Sequence, residues 1–143
     1  MPDHLAPMTW DDIQFLLLHG HTVASHSSGH QRLSSLASSE KLQYELISSA
    51  DSLQNKLNIP IKYFAYPFGD INSIDAKTLK LAKNRYEYVF SGIRGNNHQR
   101  VNPYAIRRDH VEPTFSLKYF QFILEGGLSP YYYFKRKQLD SMV

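Results

Sequence analysis

Two histidines, His26 and His30, have the spacing in this chain that most directly suggests chemistry. They flank a short Ser-Ser-Gly segment and follow a candidate strand over residues 21–25. Neutral imidazole nitrogens are common zinc ligands, at about 2.0–2.1 Å from the metal. Two imidazoles joined by a tight loop can converge on one ion, so this pair is a candidate site for a divalent cation. A chance His-x-x-x-His is the alternative, since the chain contains 7 histidines.

A second segment of interest covers residues 64–69, Phe-Ala-Tyr-Pro-Phe-Gly, at the end of another candidate strand. Pro67, Phe68 and Gly69 are expected to turn the chain there. Such a turn would present backbone amides at the same sheet edge as the histidines, where a developing oxyanion could be bound. A simple strand-ending turn is the alternative interpretation.

Periodicity and cap residues predict four helices that alternate with four strands. The helices are expected over residues 10–19, 39–58, 75–85 and 115–124, and the strands over residues 21–25, 61–66, 88–91 and 104–108. This alternation is typical of an α/β fold with parallel strands and helical crossovers. In the first helix, Trp10, Ile13 and Leu17 are expected to form a buried stripe. Residues 1–128 are predicted to form one domain, and residues 129–143 a peripheral, basic and aromatic tail.

Composition narrows the possible functions. The chain has 143 residues, a formal net charge of +3 and no cysteine, so any metal must be held by His, Asp or Glu. The short basic run Lys135–Lys137 reads as a solvated chain end, and no longer basic stripe supports nucleic-acid binding. Residues 1–10 do not resemble a signal peptide, and the longest apolar run, residues 15–18, is too short for a transmembrane segment.

Together, the two segments resemble the polysaccharide deacetylases, also called NodB-like carbohydrate esterases. His26 to His30 matches the family motif His-Ser/Thr-x-x-His. Residues 65–68 match the motif Arg-x-Pro-Phe/Tyr, with Ala65 in place of arginine. The resemblance extends over about residues 8–110, and the joint occurrence of both motifs at this separation is fairly specific.

This resemblance implies a distorted (β/α) barrel, of which the chain would form a part. It also implies a metal-dependent hydrolase that removes N-acetyl or O-acetyl groups from a carbohydrate, acting on non-peptide carbon–nitrogen bonds in the first case. The metal would be a divalent cation, usually Zn²⁺, with His26 and His30 as ligands. By analogy, the Phe68 amide would help to hold the oxyanion, and Tyr66, Pro67 and Phe68 would contact the substrate. His110 is the nearest candidate for the general acid, with a structural or solvent-exposed histidine as the alternative.

Two departures from the family pattern affect the expected activity. The opening motif Thr-Phe-Asp-Asp, which supplies the metal-binding and catalytic aspartates, is not found among the 25 residues before His26. Asp11 and Asp12 fit a helix start better, while Asp70 could approach the metal. The second departure, Ala65, leaves the catalytic aspartate without its usual arginine. We therefore expect an N-terminally truncated domain with little activity in isolation, and either self-association or a partner that supplies the missing segment.

Two other functional classes stay open. A non-catalytic carbohydrate-binding module could use Tyr66, Phe68 and residues 131–134 to stack on sugar rings. A scaffold protein of a surface-polysaccharide system could use residues 131–137 as a contact patch. The family suggests the bacterial cell envelope or the cytoplasm as the location, and the residues themselves favour neither.

Overall fold

Seven helices and strands, joined by two short 3₁₀ turns, make up the fold of residues 6–98 and 101–143, the part of the chain that the computed structural model describes. Helix α1 covers Trp10–Leu18, and strands β1 and β2 cover Tyr63–Ala65 and Tyr88–Phe90. Helix α2 runs continuously through Ser39–Gln43, a π-helical stretch Tyr44–Ser48, and Ser49–Leu57. Helices α3, α4 and α5 cover Ala76–Lys83, Leu117–Leu124 and Ser129–Met142, and the 3₁₀ turns cover Leu33–Ser35 and Ile71–Ser73.

The sheet is parallel, as the alternation of helices and strands predicted. Strands β1 and β2 pair in register, with Phe64 opposite Val89. Single parallel bridges extend this pair on both sides, from Ser25 to Phe64 and from Ile106 to Phe90. The segment order across the sheet is therefore Ser25, β1, β2, Ile106. All four segments run in one direction, so the residues that follow them share the carboxyl edge of the sheet.

The two outer strands are shorter than predicted, and local hydrogen bonds explain the limit at Ile106. The backbone N–H groups of Tyr104 and Ala105 donate to Asn102, which forms a turn instead of extended chain. The N–H of Arg107 donates to Asn97 Oδ1 at 3.0 Å and is not available to the sheet. The bridge to β2 is therefore limited to Ile106, whose N–H donates to Val89 O and whose carbonyl accepts from the Ser91 N–H, although the Val89 N–H also donates to Pro103 O at 2.8 Å.

The core lies between the sheet and the inner faces of α2 and α3. Its buried apolar residues include Leu42, Leu46, Ala50, Phe64, Leu79, Ala82 and Val89. Cap residues mark the helix ends: Thr9 and Asp12 form a reciprocal capping box on α1. Asp75 and Thr78 form another on α3, and α2 ends at Asn58 in the left-handed conformation.

The expected burial of α1 is wrong. None of its residues is buried, and Trp10, Phe15 and Leu18 are 44%, 58% and 85% exposed. Periodicity identifies the apolar side of a helix, but burial requires another surface to cover that side. Among the described residues, Ile13 and Leu17 of the expected stripe are only half-buried, and the Lys56 ammonium lies 5.5 Å from the Trp10 ring centroid.

The expectation of a peripheral C-terminal tail is also corrected. Most of residues 129–143 forms α5, and Leu139 on this helix is 1% exposed within the main core. Met142 and Val143 pack against the same core. The opposite side of α5 is exposed and carries Tyr131, Tyr133 and Phe134. In the part of the chain described here, no helix combines the length and apolar character needed to cross a bilayer.

Candidate metal and substrate site

His26 lies immediately after the Ser25 bridge, at the carboxyl edge of the sheet. Its side chain is exposed, and its Nδ1 lies 2.7 Å from the carbonyl oxygen of Ala65 at the end of β1. Because a carbonyl can only accept, Nδ1 must donate, and the neutral ring then has its lone pair on Nε2. Metal-binding histidines are commonly oriented by this kind of donation to a backbone carbonyl.

The second histidine, His30, lies against the first. The ring centroids of His26 and His30 are 4.9 Å apart, at an interplanar angle of 67°. The intervening loop reaches this arrangement through two positive φ angles, 66° at Ser27 and 50° at His30. The His30 N–H donates to Ser27 Oγ at 3.1 Å, which closes the loop. The structure thus brings together the two histidines that the sequence selected.

The side chain of Glu45 on α2 holds this loop through two hydrogen bonds. Its Oε2 accepts hydrogen bonds from the backbone N–H groups of Ser28 at 2.9 Å and Gly29 at 2.7 Å. The side chain is buried, with Glu45 5% exposed, and it lies in the π-helical part of α2, a deviation that is frequent at functional sites. Sequence analysis gave Glu45 no role. A signal in the sequence could have identified it, because Glu45 is an acidic residue on the same face of the predicted helix as the apolar Leu42 and Leu46.

The turn after β1 completes the exposed surface beside the histidines. Phe68 has φ 60° and is 56% exposed, and its ring centroid lies 5.0 Å from that of His30. The Arg32 guanidinium carbon lies 5.0 Å from the Phe68 ring centroid, a cation–π contact. Among the described residues, no protein group accepts a hydrogen bond from the Phe68 N–H. The role of this amide as an oxyanion donor stays a prediction.

Tyr66 and Pro67, the other two predicted substrate contacts, are buried. The Tyr66 ring is 1% exposed and packs edge-on against Phe64, and its hydroxyl donates to Thr78 Oγ1 at 3.1 Å. Burial raises the pKa of the Tyr66 hydroxyl and keeps it neutral. The Tyr66 side chain thus belongs to the core instead of a sugar groove, and Phe68 is the exposed aromatic of this turn.

Asp70, considered as an approaching metal ligand, is engaged elsewhere. Its Oδ1 accepts from Arg32 Nη1 at 2.6 Å and from the Asn72 N–H at 2.9 Å. The hydrogen bond from the Arg32 guanidinium holds the pKa of the Asp70 carboxyl below its usual range. Asp12 is likewise occupied, because its carboxylate accepts from the Thr9 N–H and hydroxyl in the α1 cap. Both carboxylates therefore have structural partners.

The lowered pKa of Asp70 predicts a small, pH-dependent contribution to stability. A carboxyl with a depressed folded-state pKa stabilises the fold above its unfolded value, here 3.8, and this contribution is lost as the pH falls through the folded pKa. The Arg32 and Asp70 side chains are 37% and 47% exposed, so we expect less than about 1 kcal/mol after screening. Urea unfolding should show Asp70→Asn less stable than wild type at about pH 7, with the difference shrinking as the pH falls below 3.8. A difference that does not change with pH would contradict this assignment.

His110 lies in the loop after the Ile106 bridge. Its Nε2 is 2.7 Å from Glu112 Oε1, its side chain is 65% exposed, and its ring lies 6.2 Å from that of Phe115. The hydrogen bond with His110 lowers the pKa of the Glu112 carboxyl. His110 thus shares the sheet edge with His26 but contacts Glu112 and Phe115, and its role as a general acid stays a prediction.

The donor set at the histidine pair suits a borderline-soft divalent cation, because both ligands are imidazoles and His26 is held with Nε2 free. The set is also incomplete. Within residues 6–98 and 101–143, no group of three or more His, Asp or Glu side chains is placed to hold a metal. The described residues therefore offer two of the three protein ligands that catalytic zinc sites usually have.

Comparison with known proteins agrees with this fold and these motifs. Residues 2–89 match the family profile described as polysaccharide deacetylase. A crystal structure of a polysaccharide deacetylase from Bacillus cereus superposes with a TM-score of 0.69 at 20% identity, over 85% of this chain and 38% of that chain. A Streptococcus pyogenes deacetylase in complex with acetate gives a TM-score of 0.71 at 22% identity, over 83% of this chain and 51% of that chain. No curated protein shows significant sequence similarity to the chain.

At these identities the superpositions establish the fold, and they confirm a partial barrel of the deacetylase type with parallel strands and helical crossovers. The chain spans about half the length of the Streptococcus pyogenes structure and 38% of the length of the Bacillus cereus structure. The profile match covers more than half of the chain and includes both the histidine motif and the Tyr-Pro-Phe-Gly turn. The chain therefore belongs to the polysaccharide deacetylase family.

Proposed function

We propose that this chain takes part in the metal-dependent hydrolysis of N-acetyl or O-acetyl groups on a carbohydrate, with His26 and His30 as two ligands of a divalent cation, preferably Zn²⁺. The observation that carries this proposal is the hydrogen bond from His26 Nδ1 to Ala65 O at 2.7 Å. It orients the His26 ring beside the His30 ring and leaves Nε2 as the nitrogen that the neutral tautomer offers to a metal, in a chain of the polysaccharide deacetylase family. An exposed histidine pair without such orientation would not by itself indicate a metal site.

The chain's own groups suit an acyl-transfer reaction. A divalent cation, when bound, would polarise the acetyl carbonyl and lower the pKa of water. The Phe68 amide, which has no acceptor among the described residues, would donate to the developing oxyanion. The exposed Phe68 ring would pack against a sugar. His110 is the proposed proton donor to the leaving group, with Glu112 orienting its ring.

The proposed site lacks a carboxylate ligand and a carboxylate base among the described residues. We therefore expect this chain alone to bind zinc weakly and to release little or no acetate. The test is calorimetric titration with zinc of wild type, His26→Ala and the control His21→Ala. His21 is also exposed and lies on the same segment. His26→Ala should weaken zinc binding by about tenfold or more, while His21→Ala should leave it unchanged.

The outcomes are distinct. Equal zinc affinity of wild type and His26→Ala would overturn the metal assignment. Acetate release from N-acetylglucosamine oligomers should be below detection with zinc present. Robust turnover that is lost in His26→Ala would support deacetylation and contradict the expectation of an incomplete site.

A non-catalytic role in carbohydrate binding is the second candidate, because exposed aromatic rings lie outside the histidine site. Tyr131 and Phe134 on α5 are 73% and 79% exposed. Aromatic faces of this kind can stack on sugar rings. Titration of N-acetylglucosamine oligomers with and without chelator separates the two functions. Metal-independent binding that is lost in Tyr131→Ala and kept in His26→Ala would favour the binding module.

A further inference from the structure

A cavity of about 470 Å³, separate from the histidine site, lies between the loop after β2 and the helices α4 and α5. Its walls are mainly polar and include three arginines, Arg94, Arg107 and Arg136. Arg94 comes from the loop after β2, Arg107 from the loop after the Ile106 bridge, and Arg136 from α5. None of the three has a role in the proposed metal site.

The arginines converge around Gly95. A Cβ atom built on Gly95 would lie 2.7 Å from Arg136 Cδ and 3.0 Å from Arg107 Cδ, so both side chains pack directly over this glycine. Backbone carbonyls also fix the guanidinium groups. Arg107 Nη1 donates to Asn96 O in the loop at 3.2 Å. Arg136 donates through Nη1 to Arg94 O in the loop at 3.5 Å and through Nη2 to Ser129 O on α5 at 2.9 Å. The cavity therefore has a preorganised cluster of planar cationic donors.

Carboxylates compensate this charge only in part. Arg107 Nη2 is paired with Asp140 at 2.8 Å, and Arg94 Nη1 lies 3.6 Å from Asp109, beyond hydrogen-bond range. Glu125 is the other acidic residue in the lining. Among the described residues, Arg136 forms no ion pair, and two buried donors, Arg94 Nη1 and Arg107 Nε, have no hydrogen-bond acceptor. Buried guanidinium donors without acceptors are unfavourable, so the positive charge of this cluster is incompletely compensated.

Two of the loops that line the cavity follow the same sheet edge as the histidine loop. Arg94 follows β2 and Arg107 follows Ile106, just as His26 follows Ser25. Arg108 ties these loops together, because its Nε donates to Ser91 O at 2.6 Å and its Nη2 to Tyr66 O at 3.4 Å. A long ligand that lies along this edge could therefore contact the Phe68 turn and the arginine cavity together.

We propose that this cavity binds an oxyanion, either a carboxylate or a phosphate, and that its natural source is an acidic substituent on a saccharide. Guanidinium groups match the geometry of both anions through paired N–H donors. The role as a saccharide subsite rests on the proposed deacetylase function, whereas anion binding itself does not. A purely structural role of the arginines, in which they only hold the loop, is the competing explanation.

The test is calorimetric titration of the zinc-free chain with inorganic phosphate, glucuronate and, as a neutral reference, glucose. We expect saturable binding of both anions and none of glucose. Arg136→Gln should weaken anion binding by about tenfold, because it removes one charged donor pair. Lys137→Gln, which removes the same charge from the neighbouring position outside the cavity, should leave binding unchanged. No saturable binding of either anion, or equal losses in the two variants, would overturn the proposal.

Further titrations identify the source of the anion, and a second variant covers the case in which Arg136→Gln does not fold. A tetrasaccharide of alternating glucuronate and N-acetylglucosamine should bind more tightly than glucuronate if the anion is carried on a saccharide, and equally if it is a free small anion. If circular dichroism shows Arg136→Gln unfolded, Arg136→Lys replaces it, and unchanged affinity in that variant would overturn the role of the guanidinium. His26→Ala should keep anion binding and Arg136→Gln should keep zinc binding, so a failure of one proposal is distinguishable from a failure of the other.

Discussion

Replacing Gly69 with alanine is expected to destabilise the protein by about 2–4 kcal/mol. Gly69 has φ +65°, a conformation that costs alanine about 1 kcal/mol or more. A Cβ atom at this position would also lie 2.8 Å from Gly92 Cα and 3.2 Å from the Ser91 carbonyl carbon. These are backbone atoms, so they cannot rotate away as a side chain would, and the turn after β1 must separate from the turn after β2.

Gly20 provides a matched control for this prediction. It has φ +81°, but a Cβ atom there would meet nothing within 4 Å. Gly20→Ala should therefore show the conformational cost alone, about 1–2 kcal/mol. Urea unfolding of both variants against wild type separates the two contributions. Equal losses of unfolding free energy would show that the contact between Gly69 and Gly92 is not tight.

The same contact positions the candidate oxyanion donor. The Gly92 N–H donates to Gly69 O at 2.7 Å, which fixes the turn that presents the Phe68 amide. Phe68 itself has a positive φ of 60°, so the turn depends on its neighbours to keep this conformation. A turn released by Gly69→Ala would lose the Phe68 conformation together with the stability.

Hydrophobic periodicity and cap residues predicted the helices and strands, because both signals depend only on residues that are close together in the sequence. Leu42, Leu46 and Ala50 share one face of a helix, and this face is buried against the sheet. The parallel sheet followed from the alternation of helices and strands. The shared edge of that sheet was enough to place His26 and Phe68 together, although they are far apart in sequence.

What the sequence could not predict depends on contacts between distant segments. The apolar side of α1 was correctly identified, but whether another element covers it is not encoded in α1 itself. The burial of Tyr66 could have been predicted from the sequence, because Phe64 and Tyr66 lie two residues apart and so face the same side of a strand. Family analogy favoured a substrate role and obscured this simpler inference. The positive φ angles of Ser27 and His30 were not predictable from residue type, because serine gives no signal for this conformation and the enrichment of histidine in it is too weak to select one position.

Glu45 is the residue on which the histidine loop depends most. Glu45→Ala is expected to destabilise the protein by about 2–4 kcal/mol, because the N–H groups of Ser28 and Gly29 both lose a charged acceptor. The site is closely packed, since a Cβ atom on Gly29 would lie 2.8 Å from Glu45 Oε1. Urea unfolding measures this loss directly.

The matched control is Glu40→Ala, an exposed acidic residue in the first turn of the same helix. Its loss should cost no more than about 1 kcal/mol, through a weaker interaction with the helix dipole. Glu45→Gln keeps an oxygen that can accept from both N–H groups but lacks the charge, so it should fall between wild type and Glu45→Ala. A loss in Glu45→Ala no larger than that in Glu40→Ala would contradict the anchoring role.

A second measurement separates anchoring of the site from stability of the whole fold. Ser27 and His30 keep their positive φ angles while Glu45 holds the two amides between them. Under conditions where Glu45→Ala is still folded, zinc affinity should therefore fall by about tenfold, as it does when an orienting partner of a metal ligand is removed. Glu40→Ala should keep the wild-type affinity. Unchanged zinc affinity in folded Glu45→Ala would mean that His26 is positioned by Ala65 alone, and that Glu45 acts only on the fold.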